Sequence, residues 1–184
     1  MVKKKLLLCL FALLPILASA QDNRVLTPVI WSQIEKTVKE NPDSVKALVA
    51  RLTLPQLDTT LTMSQRVLAF YGQSYISQGD EMLDARRMND SLRAGSLGTL
   101  AMANKVLAKN PLNLEALMCK ATVLFGMAKT NTADSTELKA QARHCMRVAM
   151  RLYNTIASTG RGTAEEPFFV TSVPDEYSFI NYYL

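Results

Sequence analysis

The sequence predicts a mainly α-helical protein of stacked antiparallel helical hairpins, finished by a short C-terminal β-hairpin. Two observations lead there. Long stretches between residues 26 and 157 repeat apolar residues at helical spacing and are punctuated by Asn, Pro and Gly. After Pro167 the character changes, and Phe168 to Val173 and Tyr177 to Tyr183 are aromatic and β-branched.

The chain opens as an export signal. Lys3 to Lys5 precede an uncharged apolar stretch of 13 residues, Leu6 to Ala18, and Ala18-Ser19-Ala20 supplies a small-residue cleavage box before Gln21. A spanning helix needs about 20 apolar residues, so this stretch predicts cleavage after Ala20 rather than a permanent anchor, and the mature chain carries no candidate transmembrane segment. The predicted organisation is a signal peptide at 1–20 and one helical domain at 21–184. Within it lie N-terminal helices (21–62), repeat-like hairpins (63–157) and a turn with the β-hairpin (158–184). The expected location is the periplasm or the exterior.

Charge narrows the partners. The chain has 21 basic and 16 acidic residues, and three lysines leave with the signal, so the mature balance is 18 against 16, or +2. No run of Lys and Arg marks a nucleic-acid surface.

A first helix is expected over Leu26 to Glu40, ended by Asn41-Pro42. A second starts at Asp43 or Ser44, buries Val45, Leu48, Val49 and Leu52, and stops before Pro55. Asp58 to Thr62 reads as a loop. Beyond it, Leu68, Tyr71, Gly72, Tyr75 and Gly79 fall in a bulky, bulky-small, aromatic, glycine order that resembles the first helix of a tetratricopeptide repeat, with Gly72 allowing close approach of a partner helix. Val106 to Asn113, with Pro111, resembles the end of the second helix, and Glu81 to Gly95 is then an insertion forming a short extra helix or turn. The segment Asn113 to Ala128 is apolar on two faces, which places it in the middle of the fold. A polar loop, Thr130 to Thr136, and a helix from Ser135 to Ile156, capped by Ser135, complete the hairpins. A plain helical bundle is the alternative architecture. Ser158 to Thr163 is a turn cluster, and Pro174-Asp175-Glu176 is the expected hairpin turn.

The tail from Phe168 to Phe179, with its Pro174-Asp175-Glu176-Tyr177 sequence, is similar to the end of a family of exported proteins from the Bacteroides group of bacteria, domain of unknown function 4919. Gly160-Arg161-Gly162 takes the family's turn position, where an acidic residue between the glycines is the expected pattern, and this departure weakens a ligand role for the turn. The resemblance implies export and fold company, and it carries over no catalytic residues.

Site chemistry is sparse. His144 is the sole histidine, and its neighbour Cys145 points about 100° away on a helix, so the spacing makes no Cys-His pair. The pairs Glu165-Glu166 and Asp175-Glu176 read as solvated turn charges, and Gly160-x-Gly162 lacks the strand and helix of a phosphate loop. No catalytic residue, metal ligand or cofactor site is predicted. Cys119 and Cys145 stand equally far from a turn centred near Thr132. They form either a disulfide, contributing about 3 kcal/mol, or two separate buried thiols.

Two functions follow. The first is a non-catalytic module for a protein or peptide partner, with Tyr177, Phe179, Tyr182 and Tyr183 as a candidate interaction surface. The second is an envelope hydrolase acting on peptide or glycan. A deep pocket lined by polar side chains favours the second, and a shallow open groove the first.

Overall fold

A computed structural model describes residues 24–96 and 98–184, and the expected signal at 1–20 lies outside them. The described residues form eight helices in antiparallel packing and no strand: α1 (Trp31–Glu40), α2 (Pro42–Leu52), α3 (Met63–Ser77), α4 (Met82–Arg93), α5 (Thr99–Lys109), α6 (Leu114–Thr130), α7 (Ser135–Ala157) and α8 (Val173–Tyr182).

Local chemistry sets most of the boundaries. The first helix starts at Trp31 rather than Leu26, because Pro28 disfavours helix in the residue before it and the Thr27 amide is spent on the Ser158 carbonyl, 2.7 Å away. Asn41, not Asp43 or Ser44, caps α2: its side chain accepts from the Ser44 amide, and Pro42 fills the first turn. Thr62 and Gln65 form a capping box that opens α3. Gln78 and Gly79, with φ of 49° and 79°, end it and reverse the chain.

The inserted segment is a full helix, α4. It is held to α5 by buried Asp84, whose carboxylate meets Lys105 and Lys109, each at 2.8 Å. Asn113 caps α6 through the Ala116 amide, as its position predicts. The expected cap Ser135 is instead the first residue of α7, with Asp134 before it and the Asn131 side chain bonded to Asp134.

Helix α6 lies at the centre, as its two apolar faces require, and packs on α4, α5, α7 and α8. One core cluster joins Leu117 and Ala121 of α6 to Tyr71, Val148, Leu152 and Ile156. A smaller one joins Ala116 and Cys119 to Met88, Ala103 and Val106. Gly72 does allow close approach, but of the preceding helices: a Cβ there would stand 2.9 Å from Val45 Cγ1 and 3.4 Å from Val38 Cγ2.

The C-terminal β-hairpin does not form. Residues 167–170 form neither helix nor strand, and the second half of the expected hairpin is helix α8. Ser172 accepts from the Asp175 amide at its start, and Pro174, whose fixed φ suits a first helical turn as well as a β-turn, lies inside it. The aromatic spacing agrees: Phe179 and Tyr183 are four residues apart and stack at 5.1 Å.

Nor are the cysteines bonded. Both are free buried thiols, Cys119 in the smaller cluster and Cys145 in the larger, so the hairpin turns them toward different neighbours. Burial pushes the Cys119 thiol up to about 11 and Cys145 in the same direction.

Mass spectrometry of the unreduced, alkylated protein lacking residues 1–20, and so Cys9, is expected to count two free thiols after unfolding. Gly72→Ala is expected to lower the unfolding free energy by about 1 kcal/mol in urea titration, since overpacking against stiff Val45 costs about 1–3 kcal/mol and the better helix former returns about 1.

Candidate functional site

A cleft of about 810 Å³ lies between the end of α3, the length of α4, the α5–α6 turn and the start of α8. That volume suits a drug-sized molecule or a short peptide. Its lining mixes apolar Met82, Ala85, Val173 and Pro174 with carboxylates and guanidinium groups.

Four carboxylates line it from three elements: Asp90, exposed on α4, and three that are set more deeply. Glu81, at the head of α4, is 7% exposed; its Oε1 accepts from Asn110 Nδ2 at 2.7 Å and from Ser77 Oγ at 3.3 Å, while Oε2 is buried without a partner. Glu115, in the first turn of α6, accepts from Asn89 of α4 at 2.7 Å. Asp175, in the first turn of α8, is 4% exposed and accepts from the Thr171 hydroxyl. Burial pushes the Asp175 carboxyl up to about 6, the charges of Glu115 and Glu81 add to the rise, and bonds from Thr171 and Ser172 oppose it. Arg86 and Arg93 of α4 are exposed and form the rim.

The sequence pointed elsewhere. Of the four aromatics expected to form an interaction surface, Tyr177 and Tyr182 are exposed, but Phe179 is buried against Phe168 and Tyr153. Tyr183 is half-buried and donates to Asn154 Oδ1 at 2.9 Å. A helix sends these residues in different directions, where a strand would have put Tyr177, Phe179 and Tyr183 on one face, and none of the four lines the cleft.

Asp175 is the reverse case. As a solvated turn charge it was discounted, yet Ser172-x-x-Asp175 with an intervening proline is a helix-start signature that would have placed it at the base of a helix. Glu176 and Glu165 are exposed, as expected, and Glu166 pairs with Arg161 in the turn. No local signal singles out Glu81 or Glu115.

His144 is half-buried with Nδ1 unpartnered, and burial followed by the charges of Arg147, Arg151 and Lys120 lowers its pKa. Its neighbour Cys145 faces the core. Among the described residues no group of three or more His, Cys, Asp or Glu side chains is placed to hold a metal ion, and no helix is long and apolar enough to cross a membrane.

Fold and site together define an all-α protein whose antiparallel helices enclose a cleft of mixed charge. The chain belongs to the family described as Domain of unknown function (DUF4919), whose model matches residues 32–183. No curated protein and no solved structure matches it.

Because the folded-state pKa of Asp175 is raised, the folded protein binds the extra proton between about 3.9 and about 6. Its contribution is therefore present below the unfolded value and is lost as pH rises through about 6, a change of about 3 kcal/mol. Asp175→Asn is expected to remove that fall. The measurement is the difference in unfolding free energy between pH 4 and pH 7.5 in the two proteins, and an unchanged difference would count against a buried, proton-binding Asp175.

Proposed function

We propose that this protein is an exported, non-catalytic binding module of the cell envelope that captures a protein or peptide segment in the α4–α8 cleft. The observation that carries the reading is the cleft itself: about 810 Å³, apolar walls, and polar groups held in place by helix starts and half-buried hydrogen bonds. Apolar surface with a few fixed polar groups is what a site needs to bind and orient a ligand. In this reading the hairpins serve as tetratricopeptide-like helix pairs, and the inserted helix α4 supplies one wall of the groove. Export rests on the lysine, apolar and small-residue order of residues 1–20.

An envelope hydrolase acting on peptide or glycan is the second reading, and one observation favours it. Asp175 is a carboxyl with a raised pKa in a cleft lined by three further carboxylates, an arrangement related to the acid and base pair of glycoside hydrolysis. Binding is preferred because Asp175 is committed to the Thr171 hydroxyl at the start of α8 and the cleft lining holds no histidine, cysteine or lysine to act beside it.

Incubating the mature protein with a defined pool of pentapeptides, followed by gel filtration and mass spectrometry, separates the readings. Intact peptides are expected to co-elute with the protein, and Val173→Trp, an exposed position at the cleft mouth, is expected to weaken retention about tenfold. Shortened peptides, or cleaved oligosaccharides in a parallel incubation, would replace the binding reading with the hydrolase.

A further inference from the structure

We infer that the outer face of α7, continued by the end of α8, docks the protein on an anionic lipid surface; the inference is independent of the cleft and adds a second binding face to the reading above. The residues that carry it share one side of a helix. Lys139, Arg143 and Arg147 recur at four-residue spacing with Met146 and Met150 among them, and at 100° per residue all five fall within an arc of about 100°. All five are exposed. The acidic residue of α7, Glu137, lies off that arc and accepts from Gln141 at 2.9 Å.

The positive charge on this face is unanswered. Among the described residues the side chains of Lys139, Arg143 and Arg147 make no hydrogen bond or ion pair, whereas the lysines of α1, α2 and α5 are all paired with carboxylates. Toward α6 the field keeps its sign. Lys120 stands about as far before the α6–α7 turn as His144 stands after it, and the charges that reach His144 are those of Arg147, Arg151 and Lys120. A face of one sign draws a partner of the other, and each cation held close to an anionic lipid surface strengthens partition about fivefold.

A second observation is independent of charge. Asn154 continues the exposed face one turn beyond Met150, and the Tyr183 hydroxyl donates to its Oδ1 at 2.9 Å. That bond sets the end of α8 against α7, and the residues on either side of Tyr183, Tyr182 and Leu184, are exposed. Apolar side chains beside a row of cations are what a lipid interface receives: thioethers, a leucine and a tyrosine ring enter the headgroup layer while the guanidinium groups stay with the lipid phosphates. The outer side of a helix suits such a broad surface, since a peptide segment needs a groove or a strand edge, and none of these residues lines the cleft. Docking of this kind is peripheral, as no helix among the described residues is long and apolar enough to cross a membrane.

Vesicle flotation of the protein lacking residues 1–20 tests the inference, with phosphatidylcholine alone and with about 30% phosphatidylglycerol added. Partition onto the anionic vesicles is expected to exceed that onto the neutral ones more than about tenfold, and to fall sharply in about 1 M salt, where screening acts over about 3 Å. Arg143→Gln with Arg147→Gln, at exposed positions and with a good helix former, is expected to weaken anionic partition about 25-fold. Tyr182→Ser with Leu184→Ser is expected to weaken it about tenfold while leaving the salt dependence in place. Equal partition onto both vesicles, or none onto either, overturns the inference and leaves the peptide reading of the cleft standing. Binding of poly-glutamate without binding of vesicles overturns it in favour of an acidic protein partner. Undiminished partition in either variant, with helix content unchanged by circular dichroism, overturns the assignment to this face.

Discussion

The architecture depends on how one irregular segment packs along the core with its backbone polar groups satisfied. Residues 158–172 have neither helix nor strand to pair with, so the requirement falls on side chains and on a tight turn. Phe169 shows the solution: its amide donates to Thr159 Oγ1 at 3.0 Å, and its carbonyl accepts from the hydroxyl of fully buried Tyr71 at 2.7 Å. The Arg161 and Gly162 amides share the Glu166 carbonyl, and Gly160 is pressed so closely to the Pro167 carbonyl that a Cβ would stand 2.1 Å from its oxygen. Burial lifts the Tyr71 hydroxyl above its ordinary pKa, which keeps the donor protonated.

Once this segment is in place, the tail binds the helices together. Trp31 of α1 meets Tyr71 edge-on at 5.4 Å and Phe169 at 6.4 Å, while Phe168 and Phe179 pack at 5.1 Å beneath α8. Aromatic contacts of this kind add about 0.5–1.5 kcal/mol beyond the area they bury. Tyr153 bonds to Ser178 at 2.7 Å, joining α7 to α8. The consequence for function is positional. The tail delivers the first turn of α8 to the mouth of α4, so Asp175 comes to share a cavity with Glu81 and Glu115, roughly 95 and 60 residues earlier in the chain.

Helical periodicity was legible, and so were the residues that interrupt it. Asn113 as a cap, Gly72 as a point of close approach and α6 as the central rod all follow from residues within one or two turns of each other. In the tail the local signals conflict: aromatic and β-branched composition favours strand, while Ser172, Pro174 and the Phe179–Tyr183 spacing favour helix. With no second strand available to complete a ladder, the capped helix satisfies its own backbone. Of the two arrangements left open for the cysteines, separate buried thiols are the one found, since equal height on a hairpin does not specify which way each side chain turns.

What the sequence by itself determined is local: where helices begin and end, which face of each is apolar, and that α6 must be enclosed. Tertiary structure alone decided the cleft, the burial of Asp175 and the unpaired oxygen of Glu81. The physical reason is that capping and periodicity act over a few residues, whereas desolvation and like-charge crowding depend on which distant segments are packed together.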